Sequence, residues 1–340
     1  MGHFRNLFAF ASIAFGLTTT AQDAARIWNI KAILPNGTTL DVKAFGPDGR
    51  PNDVKALQHG DAHMLDVKAL VGGTELPIKV LVSDDAFLPV KAITADGKLM
   101  DVKAIAADGT KLDVKGIAWS GHIMHIKAIG PDRELYGVKA ISPEGRMHDV
   151  KGVKMIDGIE EGEVNGVRFA AHMKALPQAL ATDEDFIWNV KAIGTNGHSI
   201  PVKALDNNGG VHDVKAYMEN GDRWIMDIKA LIDGKKASVK MLVSDDALIP
   251  VKAVGADGTV YDIKALTADG RKLDVKGTKQ EGNIIQLKAI DGDEQLGVKA
   301  ISHKGAQYDV KGIEFSSGKS EGQVNGVAFR AHVKALPPVE

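Results

Sequence analysis

Twenty-four lysines at near-constant spacing constrain this chain more than any other feature. They fall at Lys31, Lys43, Lys55, Lys68, Lys79, Lys91, Lys103, Lys115, Lys127, Lys139, Lys151 and Lys174, and again at Lys191, Lys203, Lys215, Lys229, Lys240, Lys252, Lys264, Lys276, Lys288, Lys299, Lys311 and Lys334. The period is 12 residues with slips of one or two, and the last step in each set is 23, room for one degenerate unit. A longer repeat encloses the short one: Ile27-Trp28-Asn29-Ile30-Lys31 returns as Ile187-Trp188-Asn189-Val190-Lys191, and Val164-Asn165-Gly166-Val167 returns as Val324-Asn325-Gly326-Val327. Such nested periodicity identifies a repeat architecture before any single residue is considered.

Val or Ile precedes the lysine in every unit except those of Met173 and Leu287, and β-branched residues favour strands. Between units stand turns such as Pro47-Asp48-Gly49 and Ala107-Asp108-Gly109. Their residue types suit a type I turn closed by a glycine bulge. A three-residue loop at 107–109 pairs Lys103 with Asp113, and extension of that ladder pairs Val102 with Val114 and Asp101 with Lys115. The predicted fold is all-β: tandem duplicated antiparallel meander domains, each a sandwich or flattened barrel. A parallel solenoid is the rival, disfavoured because it stacks Lys on Lys; a propeller is a further alternative. Leu81–Asp85 and Leu242–Asp246, near Pro77, Pro89 and Pro250, are the expected corners.

The expected division is 22–177 for the first domain, 178–185 for a linker and 186–340 for the second. Residues 1–21 read as a signal peptide, with Arg5, an apolar stretch from Leu7 to Leu17 and a small-residue site at Thr19-Thr20-Ala21, so export is expected. Absence of cysteine excludes disulfides, and a formal net charge of −2 shows no basic footprint for nucleic acid. No stretch is suited to membrane insertion.

The apolar residue two places after each lysine, replaced only at Thr278, shares the charged face by strand alternation and implies that something packs on that face. Two functions follow. The first is a non-enzymatic structural or self-assembling protein that contacts itself or a cell-surface partner. The second is a binder of acidic polysaccharide or another anionic surface through a lysine lattice, represented by Lys43, Lys55, Lys103, Lys115, Lys215, Lys264 and Lys276. A third reading, an enzyme, rests only on the loop acids Asp84, Asp85, Asp245 and Asp246, whose first explanation is turn chemistry. No catalytic set, metal-ligand spacing or cofactor motif is present, so no cofactor is expected. His172 and His332 stand where Asp stands in other units and are expected to bond across the strand. His122 and His125 have no histidine counterpart in the second half, where Asn283 and Gln286 stand, which argues against a duplicated metal site. Trp28, Trp188 and Trp224 share the Val face and are expected in the core; Trp119, near a turn, is expected to be exposed.

Overall fold

The computed structural model describes residues 26–156, 158–179, 186–219, 222–315 and 320–339, which form strands, turns and loops. The expected signal segment and most of the expected linker lie outside them. No helix among these residues is long and apolar enough to cross a membrane. The first half contains β1 (Arg26–Ile33), β2 (Thr39–Phe45), β3 (Pro51–Gln58), β4 (Leu65–Val71), β5 (Thr74–Leu81), β6 (Leu88–Ile93), β7 (Leu99–Ile105), β8 (Lys111–Ser120), β9 (Ile123–Ile129), β10 (Leu135–Ile141), β11 (Met147–Val153), β12 (Gly162–Val164) and β13 (Val167–Pro177). The second contains β14 (Ile187–Ile193), β15 (Ser199–Leu205), β16 (Val211–Tyr217), β17 (Met226–Ile232), β18 (Lys235–Leu242), β19 (Ile249–Val254), β20 (Val260–Leu266), β21 (Lys272–Glu281), β22 (Ile284–Asp291), β23 (Glu294–Ile301), β24 (Gln307–Ile313), β25 (Gly322–Val324) and β26 (Val327–Leu336). The protein is therefore all-β, with two similar 13-stranded antiparallel sheets. The degenerate unit in each half is the short strand β12 or β25, which carries no repeat lysine and pairs only with the strand that follows it.

The hairpins β1–β2, β2–β3, β6–β7 and β7–β8 each hold three pairs and then open, and β4–β5 holds four. In β7–β8 the ladder runs from Ile105–Lys111 to Lys103–Asp113 and stops there. The expected Val102–Val114 and Asp101–Lys115 pairs do not form: Val102 faces Ala44, Asp101 faces Lys91 and Phe45, and Lys115 faces Pro89 and Lys127. A third strand enters where the hairpin splits, so strands meet in threes. Junctions one to four are β1/β2/β3, β4/β5/β13, β6/β7/β8 and β9/β10/β11; junctions five to eight are β14/β15/β16, β17/β18/β26, β19/β20/β21 and β22/β23/β24. Every two junctions of a half are linked by one further pairing, for example β2–β7 and β11–β13, so the connectivity is that of a tetrahedron's four corners and six edges. The second half repeats it. Closing a sheet in two directions demands curvature that an unbroken ladder cannot supply, and the split after each Lys–Asp step supplies it. Pro77, Pro89, Pro201 and Pro250 all occupy the split position, where the strand changes partner and a missing N–H is tolerated.

The six linking pairings of each half set lysine directly opposite lysine, as in Lys43–Lys103, Lys55–Lys68 and Lys203–Lys264. This is the arrangement whose repulsion argued against a solenoid. In Lys43–Lys103 and Lys203–Lys264 it is tolerated because the ammonium groups turn away from each other, each toward an acceptor in its own junction: Lys43 to Asp53, Lys103 to Asp113, Lys203 to Asp213 and Lys264 to Asp274.

Valine, alanine and the preceding leucine point inward and form one core per half. The residue after the lysine is small because inner faces converge there. Gly152 is an example: a methyl group at its Cα would lie 3.0 Å from Val80 and 3.1 Å from Met124. Val80 and its counterpart Met241, larger than the usual alanine, fill the space beside Gly116 and Gly152 and beside Gly277 and Gly312.

Four of the outward apolar residues find their partner in the other half. Val153 and Leu176, two places after Lys151 and Lys174, pack in one cluster with Ile313 and Leu336, two places after Lys311 and Lys334. Full burial of such side chains stabilises by roughly 1.5–3 kcal/mol each. The same contact buries those four lysines. Contacts are reciprocal: Asp61 accepts Gln286 Nε2 at 3.1 Å, and its counterpart Asp222 accepts the His122 backbone N–H at 3.2 Å. His63 reaches Asp309 in junction eight at 3.1 Å, and Trp224 lies under the Lys151 ammonium of junction four at 4.1 Å. Trp28 and Trp188 are core residues as expected, whereas Trp224 caps the other half's junction because it lies in the β16–β17 loop rather than on a strand. Trp119 is exposed.

Candidate functional site

Three lysines converge at every junction, each facing the residue two places before the next lysine. At junction one the cycle is Lys31–Asp41, Lys43–Asp53 and Lys55–Asn29; at junction three it is Lys91–Asp101, Lys103–Asp113 and Lys115–Pro89. Junction seven repeats junction three with Lys252–Asp262, Lys264–Asp274 and Lys276–Pro250, and junction five holds Lys191–Pro201, Lys203–Asp213 and Lys215–Asn189. Each therefore sets three lysines against one or two aspartates and is formally cationic.

The seven lysines singled out from the sequence all fall on these four junctions. Lys55 and Lys215 hydrogen-bond to Asn29 and Asn189 at 2.8 and 2.7 Å. Lys115 and Lys276 face proline, and among the described residues neither ammonium has a hydrogen bond to a side chain. The lattice expected from the sequence is thus four discrete triads. Asp41, Asp53, Asp101, Asp213 and Asp262 are held below the ordinary carboxylate range, first by the lysine hydrogen bond itself.

Junctions two and six are built differently. His172 faces Lys79 with Nδ1 2.6 Å from the ammonium, and His332 faces Lys240 at 2.8 Å, the expected cross-strand bond. Phe169 and Phe329 lie beneath these ammonium groups at 4.4 and 4.5 Å. Burial first, then neighbouring lysines, lowers Lys79 and Lys240 to about 7. Unfolded lysine titrates near 10.5. Between those values the unfolded chain holds a proton that the folded chain has released, so stability rises with pH and is lost as pH falls toward 7. Urea midpoints measured from pH 7 to 10 are expected to climb, and the climb should flatten in a Lys79→Met, Lys240→Met double variant.

A cleft of about 800 Å³ opens where junction two meets the second half, lined among others by Asp66, Lys68, Lys174, Asp245, Glu314 and Arg330. Lys174 pairs with Asp66, Arg330 with Glu314, and Phe315 lies 5.7 Å from the Lys174 ammonium. Three cations against three carboxylates make this cleft polar and electrically balanced, unlike the four cationic junctions. Asp245 is the one expected loop acid at its wall. Asp84, Asp85 and Asp246 are exposed in the passages from one junction to the next, and the Ser83 and Ser244 hydroxyls accept the Asp85 and Asp246 backbone N–H at 3.1 and 3.0 Å.

At the place corresponding to this cleft on the other side of the interface, the residues are His122, Glu219 and Asp227 instead of Asn283, His59 and Asp66. Their ligating atoms all lie within 4.8 Å of one another. Nothing in the spacing of His122 and Glu219 signals this, because a contact between halves brings them together. The one sequence hint was that His122 lacks a histidine counterpart.

The model of a family of unknown function, DUF7486, matches residues 24–176 and again residues 184–336. No curated protein and no solved structure matches the chain. Each match spans one tetrahedrally connected half with its four lysine junctions, and the chain belongs to the DUF7486 family as a tandem pair of its units.

Proposed function

We propose that the protein is a non-enzymatic, exported binding module that holds an acidic polysaccharide on its half-buried, outward-facing lysine junctions. The observation that carries this reading is the excess of lysine at junctions one, three, five and seven, with Lys115 and Lys276 facing proline instead of a carboxylate. Lysine stems packed on the sheet hold the ammonium groups in fixed triads, so an anionic polymer meets preset positions. Assembly through sheet edges has less support: every lysine-bearing strand pairs with at least three others, and part of the outward apolar stripe is used between the halves.

Co-sedimentation of the full chain with carboxylated, sulfated and neutral polysaccharides, at low and high salt, tests the reading. Binding to the acidic polymers only, lost at high salt, is expected. Exchange of Lys103, Lys115, Lys264 and Lys276 for Gln should weaken it about tenfold, at a few tenths of a kcal/mol per charge. Equal binding to the neutral polymer, or no effect of salt, would falsify it. Pelleting without polymer would favour self-assembly instead.

A further inference from the structure

We propose that His122, Glu219 and Asp227 form a binding site for one divalent first-row transition-metal ion, which ties the β8–β9 turn of the first half to the β16–β17 loop and β17 of the second. The three residues offer one imidazole nitrogen and two carboxylates within 4.8 Å of one another. His122 Nε2 is buried and makes no hydrogen bond, although Asp227 Oδ1 is only 3.2 Å away. A nitrogen lone pair converging with carboxylate oxygens, without the alignment of a hydrogen bond, is the donor arrangement a metal ion takes up.

The backbone holds the set in place. The fully buried Asp222 accepts the His122 backbone N–H at 3.2 Å through Oδ2, and the N–H groups of Trp224 and Ile225 at 2.9 and 3.2 Å through Oδ1. Its own N–H donates to the Glu219 carbonyl at 2.9 Å. One buried carboxylate thus fixes the turn that carries His122 relative to the loop that carries Glu219, as a supporting group does around a metal site.

Asp227 also pairs with Lys334 and lies 3.2 Å from Lys229. These cations lower the negative charge at the site, and an incoming ion displaces Lys334 from Oδ1. Hard calcium or magnesium, which require more oxygen ligands, are disfavoured, whereas an ion that bonds strongly to imidazole is retained. Three protein ligands leave a fourth position for water.

The test uses the full chain and the metals alone. Titration with zinc chloride is expected to show one saturable equivalent that calcium does not reproduce. Cobalt(II) should develop the visible absorption of a tetrahedral site. His122→Asn, which installs the residue the second half carries at Asn283, and Glu219→Gln should each remove that equivalent while far-ultraviolet circular dichroism stays unchanged. A wild-type chain with no saturable zinc and no cobalt absorption overturns the site whatever the variants do. So does a folded His122→Asn chain that binds as tightly as wild type, which would place the metal on histidines elsewhere.

Discussion

Replacing Trp188 with alanine is expected to destabilise the protein by about 3–5 kcal/mol. The indole is buried in the core of the second half, with the Tyr308 ring 4.7 Å away, centroid to centroid. A shell of strands that curves around one core cannot collapse onto the void, because each lysine-bearing strand is held by at least three others. Trp28, buried beside His148 at 4.5 Å, should behave alike. Trp119→Ala, at an exposed position, should stay within about 0.5 kcal/mol. Urea unfolding of the three variants followed by circular dichroism measures the contrast; equal effects would show that the closed core does not dominate stability.

Lys334→Met is expected to cost about 3–5 kcal/mol, since it leaves Asp227 buried without its main partner. Both side chains are at most 7% exposed. Burial raises the Asp227 carboxyl and Lys334 more than reverses this, holding it far below the ordinary range. That contribution is present above the unfolded value near 3.8 and is lost only in strong acid. Exchanging both partners, Lys334→Met with Asp227→Leu, should recover most of the loss, because the two most buried charges leave together and the remaining Lys229 is partly exposed and keeps its bond to Ser238. Lys115→Met makes the comparison, since Lys115 is outside the interface and its effect should be small. A double variant as unstable as the single one would mean that shape, not charge, sets the effect.

How legible each feature was depends on the distance over which it is decided. The strand nature of each unit, the Lys103–Asp113 step and the outward face of the residue after next are consequences of alternation and turn length within some 12 residues, and they could be read directly. The Asp–Lys step was read correctly and its continuation was not. The third strand of the β7–β8 split is the adjacent β6, whereas the strand that then pairs along β7 is β2, about 60 residues away.

Among the lysines, local sequence does not distinguish Lys115-Gly116-Ile117 from Lys151-Gly152-Val153. Only the packing of one half on the other buries the second and leaves the first outside. The same holds for His122, which gains Glu219 and Asp227 from a segment about 100 residues on. The sequence alone determined the repeat, the antiparallel register and the separation of an aliphatic face from a lysine face, because each follows from short-range backbone geometry. Tertiary structure decided the closure into junctions, the pairing of lysine against lysine and which charges are buried. Those depend on which of many equivalent strands meet, and near-identical repeats carry no local label that tells one partner from another.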